Sequence, residues 1–187
     1  MLKLRELTME QHKNAERSNF AKKLVSGKID RAEYAEYLRN MWVVYNCLET
    51  CAIKLRTLEG IENIRRTKGI KSDLIKILGS KREAIDTSNL CPSTIEYVDY
   101  LTPISDPEKI LAHVYVRHMG DLSGGQIIAN RIKDKLPTKF YEFAEDPEVL
   151  KDKLREKLNN DMADEAMVAF DYAHKIFLEL DARDDLG

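Results

Sequence analysis

Tyr115-Val-Arg-His-Met-Gly-Asp-Leu-Ser-Gly-Gly-Gln126 is the stretch on which the reading of this chain turns. Upstream of it, Asp106-Pro107 is a helix start, with an acid at the N-cap and Pro at the first helical position. The run that follows stays helix-compatible to Leu136, where Pro137 ends it. The quoted stretch therefore falls inside a predicted helix, and it holds a contradiction. Gly120, Gly124 and Gly125 each cost about 1 kcal/mol relative to Ala in a helix interior, or roughly 3 kcal/mol together. What absent side chains give in return is close approach of a backbone to a flat or bulky object, and freedom to bend. Steps of three or four place Arg117, Asp121, Gly124 and Gly125 on one face. A glycine-lined helix crossing explains the glycines but not Asp121 among them, because an unpaired buried carboxylate is costly. A phosphate loop is excluded too, since no Lys-Ser/Thr follows the glycines.

Outward from this stretch, every signal is helical. A first helix is expected from about Leu2 to Arg17, with Leu4, Leu7 and Gln11 at helical spacing. Asp30 and Glu33 form a capping box, after which Tyr34, Leu38, Met41, Tyr45, Leu48, Ala52 and Leu55 make one apolar stripe to about Leu58. Ser72 is expected to cap a short helix ending near Gly79, and Ser93 another reaching Leu101. Asp146-Pro147-Glu148 repeats the acid-Pro start, with Leu150, Leu154 and Leu158 on one face, and a last helix is expected from about Asp164 to Ala182. Nothing reads as a strand, a linker or an internal repeat.

Composition sets the outer bounds. A chain of 187 residues allows one sizeable core, so a single domain over 1–187 is expected. A formal charge of -2 argues against a general nucleic-acid binder. The charge is unevenly spread: residues 1–28 hold seven Lys/Arg against three Glu, whereas residues 161–187 hold two against eight acids. An anionic ligand or partner would favour the N-terminal side. Three cysteines, Cys47, Cys51 and Cys91, with no secretory signal before them, point to a reducing cytoplasm and to buried thiols rather than a metal site. No apolar run approaches the roughly 20 residues that span a bilayer, and the chain ends in acids, so no membrane anchor is expected.

The quoted stretch closely resembles the distal-helix signature of haem oxygenases. The resemblance extends to Arg5-Glu-Leu-Thr-Met-Glu-Gln-His-Lys-Asn-Ala-Glu16, which looks like the family's proximal helix, and to Lys151-Asp-Lys-Leu-Arg155 and Ala169-Phe170. Order and spacing hold from about residue 2 to 180. The resemblance implies an all-α, single-domain helical bundle with haem between a proximal and a distal helix. It places His12 at the iron-ligand position, Glu16 as its hydrogen-bonding partner, and Arg5, Lys151 and Arg155 on the haem propionates. Tyr115, Gly120, Gly124, Gly125 and Phe170 would pack on the ring, and Arg117 and Asp121, with Gly120 and Gly124, would serve catalysis. His118 departs from the pattern, standing where many relatives have Tyr. It lies on a neighbouring face to Asp121, and a packing or hydrogen-bonding role is preferred to iron ligation, which would block oxygen. His113 and His174 are read as structural.

The activity implied by the resemblance is oxidative opening of haem b, both prosthetic group and substrate, by O2 and an external electron donor. The implied products are biliverdin, the IX alpha isomer by family expectation, carbon monoxide and ferrous iron. A neutral imidazole ligand pushes less electron density onto iron than a thiolate, which leaves activated oxygen free to attack a meso carbon. Asp121 would order distal water. A chain of this kind resembles soluble bacterial, plastid-type or phage-borne members, which implies a cytoplasmic location (that of the host for a phage), ferredoxin as donor, and a downstream bilin reductase as consumer of the product. An acidic ferredoxin would dock near the positive N-terminal region, with Lys22 and Lys23 as test positions.

Overall fold

The structure, a computed structural model, describes residues 1–184; Asp185, Leu186 and Gly187 lie outside it, and with them the end of the acidic tail. Among the described residues the regular structure is helical, without strands. The predicted first helix is two pieces, α1 (Leu4–Leu7) and α2 (Met9–Glu16), because Thr8 leaves helical geometry and its hydroxyl bonds back to Leu4 O at 2.9 Å. A further helix that periodicity did not reveal, α3 (Asn19–Ser26), is capped by the Ser18 hydroxyl and closed by Gly27 in the left-handed region.

The capping box forms as predicted at the head of α4 (Arg31–Lys54), and its stripe from Tyr34 through Ala52 is buried. The helix stops at Lys54, short of Leu58. α5 (Thr67–Leu78) starts five residues before Ser72, which sits inside it. The reason is a cap supplied from outside: the Glu49 carboxylate of α4 accepts the Arg66 and Thr67 N–H groups. Gly69 lets α5 lie against residues 139–141, since a Cβ there would stand 2.5 Å from Lys139 O. α6 (Lys81–Ala84) is a single turn, and α7 (Pro92–Leu101) has Pro92 at its first position with Cys91, not Ser93, at the N-cap.

The helix expected from Asp106 to Leu136 is broken. α8 (Pro107–Leu122) and α9 (Gly124–Ile132) meet at Ser123, whose backbone is not helical. Gln126 bridges the break, its Nε2 donating to Asp121 O and to Tyr141 O. The glycines thus supply a bend as well as bare surface, and Gly124, as first residue of α9, does not carry the full helix-interior cost. α10 (Pro147–Glu156) starts at the Asp146 cap, and α11 (Ala163–Asp184) closes the chain. α11 runs against α2, α3, α7 and α8, while α4 runs against α5, α7 and α8. These two long helices carry the core and leave α2 and the α8–α9 bend to border one cavity. No described helix is long and apolar enough to cross a membrane.

Candidate functional site

The cavity encloses about 180 Å3 in the ligand-free chain and opens to solvent at one side. Its lining joins elements far apart in sequence: His12, Ala15 and Glu16 from α2, Leu24 from α3, Tyr37, Met41 and Tyr45 from α4, Phe170 from α11, and Arg117, Gly120, Asp121 and Gly124 from the bent helix pair. Most of that surface is carbon, with a few polar groups converging on it.

The three glycines divide into two kinds. At Gly120 and at Gly124 an added Cβ would meet nothing within 4 Å. Since both border the cavity, their bareness widens open space rather than relieving a crossing. Gly125 also borders it, but a Cβ there would lie 2.6 Å from Cδ1 of Tyr141. For Gly125 the packing explanation therefore wins, and its expected place against a ligand is not what requires glycine.

Asp121 is buried in the wall, and the Tyr45 hydroxyl donates to its Oδ2 at 2.6 Å. Burial pushes its carboxyl up to about 6, against the pull of His118, the Tyr45 hydrogen bond, Arg117 and Arg66. Arg117 is buried beside it. Its Nη2 donates to Met41 Sδ at 3.1 Å, its guanidinium lies 5.7 Å from the Tyr45 ring centre, and its buried Nε has no partner among the described residues. A buried N–H left open at a cavity wall is a place for ordered water or a ligand atom. Sequence reasoning named Tyr45 only as an apolar-stripe residue. The signal for more was its hydroxyl, because a phenol on a buried face must find an acceptor.

His12 lies at the surface edge of the cavity. Its Nε2 meets Glu16 Oε1 at 3.0 Å, its ring is 5.4 Å from that of Phe170, and Nδ1 makes no hydrogen bond among the described residues. One ring nitrogen is thus tied to a carboxylate and the other is available as a ligand atom.

The remaining expected site residues do not border the cavity. Tyr115 is buried, which raises its phenol's pKa, while the Thr8 hydroxyl and the charges of Arg5 and Arg155 pull it down. α1, α8 and α10 thereby bring Arg5, Tyr115 and Arg155 into one neighbourhood. Lys151 bonds Glu148 at 2.6 Å, and Arg155 bonds Asp152 at 2.7 Å. His118 is fully buried with both ring nitrogens in hydrogen bonds, as preferred from its sequence position. His113 is held between the Tyr97 hydroxyl and Glu165. Cys47 and Cys51 are half-buried rather than buried, their thiols against α7 carbonyls, and Cys91 is buried.

Comparison with known proteins adds the following. The haem oxygenase family model matches residues 1–178. Haem oxygenase 1 of Nostoc sp. is 32% identical over 204 residues, covering 96% of this chain and 84% of its own. The haem oxygenase of Pyropia yezoensis is 31% identical with the same coverage. Among solved structures, haem oxygenase-2 of Synechocystis sp. in complex with haem and NO superposes with a TM-score of 0.84, at 29% identity, over 97% of this chain and 84% of that one. Haem oxygenase-1 of Synechocystis sp. in complex with haem gives 0.83 at 29% identity, over 97% and 91%.

Proposed function

The chain belongs to the haem oxygenase family, and on that premise we propose that it opens haem to biliverdin IX alpha, carbon monoxide and ferrous iron, using O2 and electrons from a ferredoxin. The observation that carries this reading is the joint lining of one cavity by His12, by the bare Gly120 and Gly124 backbone, and by buried Asp121.

In it, the ring nitrogen of His12 that Glu16 does not hold would ligate the iron, and the Glu16 carboxylate would fix the tautomer. Bound haem supplies the redox iron at which O2 is reduced. Gly120 and Gly124, bare where they border the cavity, would let the bent helix approach a bound haem closely and would restrict access to it. Asp121, oriented by the Tyr45 hydroxyl, holds the water that delivers protons, with the open Nε of Arg117 as a second anchor for that water. Phe170, whose ring lies 5.4 Å from that of His12, would pack on the haem beside it. Arg5, Lys151 and Arg155 would meet the propionates; for Arg155 this requires release from Asp152, an exposed pair that costs little to open, and for Lys151, whose side chain is largely covered, release from the exposed Glu148. The positive N-terminal region steers an acidic donor, and a bilin reductase consumes the product.

The experiment is a hemin titration followed by reductant in air. Stoichiometric Soret absorbance that then decays into bilin absorption is the expected result. A stable Soret band would make the chain a haem carrier or sensor, and no stoichiometric complex would make it a cofactor-free helical module.

A further inference from the structure

Asp121 is a carboxylate in a wall that disfavours its charge. The groups that face it are Tyr45 and Tyr37 from α4, Tyr141, Arg117 and His118 from its own helix, and Arg66 at the head of α5. Only the last three can be cations, and of these His118 is the one whose charge depends on its partners.

Those partners are both acceptors. His118 Nδ1 lies 3.1 Å from the carbonyl of Val114, which has no proton to give, and Nε2 lies 3.1 Å from Glu49 Oε1. Glu49 is itself saturated with donors: the Arg66 N–H on Oε1, and the Thr67 N–H and hydroxyl on Oε2. Burial alone would push the Glu49 carboxyl up. The His118 bond and charge, with those of Thr67 and Arg66, outweigh it and hold the group below the usual carboxylate range. A neutral imidazole has one donor and one acceptor, and cannot satisfy two acceptors at once; an imidazolium can. His118 is one turn from Asp121, close enough on a helix for charges to interact.

We propose that His118 is held as an imidazolium by Glu49 and the Val114 carbonyl, and that it is a positioning residue whose buried charge keeps Asp121 ionised in the cavity wall. The consequence for turnover rests on the role proposed for Asp121, but the ionisation is a property of the ligand-free protein and is tested there.

The test is NMR of the haem-free chain, with 15N-labelled imidazoles and 13C-labelled aspartate, on the wild type, His118→Gln and Glu49→Gln. At pH 7 both His118 nitrogens should carry protons, and the signal should vanish in His118→Gln. The Asp121 carboxyl should titrate about one pH unit higher in His118→Gln, a tenfold rise in its protonated-to-ionised ratio and the low end of what a nearby opposite charge supplies. Glu49→Gln, whose single amide oxygen keeps an acceptor for Arg66 or for Thr67 but not for both, should leave His118 neutral and move Asp121 the same way. It also serves if His118→Gln does not fold. A merely structural His118 would change the melting temperature and leave the Asp121 midpoint in place. A singly protonated His118 at pH 7, or an unmoved Asp121 midpoint in a folded variant, overturns the proposal. Failure of the wild type to open haem would instead remove the proposed function and leave the titrations standing.

Discussion

Replacing the three glycines one at a time by alanine separates a ligand face from a packing contact. In Gly120→Ala the new methyl enters open space, so apo-protein packing is not disturbed. Gly120 lies within α8, and alanine there should stabilise the ligand-free chain by about 0.5 to 1 kcal/mol, through helix propensity and a less flexible unfolded state. For a chain of this size that is a rise in Tm of about 2 to 4 °C per kcal/mol. The same methyl takes space that the ring would fill, and overpacking by one carbon costs about 1 to 3 kcal/mol, roughly a five- to hundredfold weaker hemin affinity. Gly124→Ala should lose affinity likewise, with a smaller gain in stability because Gly124 opens α9. Gly125→Ala should do the reverse: with 2.6 Å between the Cβ and a Tyr141 ring carbon, it should lower stability by about 1 to 3 kcal/mol. Thermal melts followed by circular dichroism, paired with hemin titrations, read both quantities. The reasoning is refuted if Gly120→Ala melts lower than wild type, or melts higher yet binds and degrades haem unchanged.

His12→Ala should abolish turnover while hemin still associates weakly with the cavity, and added imidazole should restore part of the activity; an unchanged haem spectrum would reassign the ligand. Asp121→Ala should bind haem but, given peroxide, oxidise a phenolic dye in place of opening the ring, and bilin formed at the wild-type rate would sink its role. Asp121→Asn probes pH: the folded pKa of about 6 lies above the ordinary aspartate value of 3.8, so ionising Asp121 opposes folding at neutral pH and that opposition is relieved as pH falls from 6 towards 4. The variant should therefore gain on wild type at pH 7 by at most roughly 3 kcal/mol, a gap that closes by pH 4; equal gaps in urea midpoints at both pH values would contradict it. Lys22 is exposed on α3, and Lys22→Glu should slow ferredoxin-driven turnover at low salt and flatten its ionic-strength dependence, whereas no change would remove that docking surface.

How far the chain could be read in advance depended on how far each hydrogen bond reaches along it. Asp30 with Glu33, Asp106 with Glu108 and Asp146 with Glu148 all cap within three residues, and each marked its helix start correctly. α5 escaped because its cap, Glu49, is 18 residues from Thr67, and the break at Ser123 escaped because Gln126 secures it through Tyr141 as well as Asp121. The site divides in the same way. His12, Glu16 and the Asp121 stretch are local patterns, and the fold brings them to one cavity. Tyr45 acquires its part through a partner 76 residues away, and no periodicity announces that. Position 118 is the extreme case. In sequence it is the residue that departs from the pattern the stretch resembles, and local spacing could say only that it lies on a face neighbouring that of Asp121. Its charge is decided by Glu49, 69 residues back, which in turn is made an acceptor by the N–H groups that it caps at the head of α5. The residue that starts a helix and the residue that sets the charge behind the cavity are therefore the same carboxylate. Substituting Glu49 should couple α5 stability to Asp121 ionisation, two properties that share no neighbouring residues in the chain.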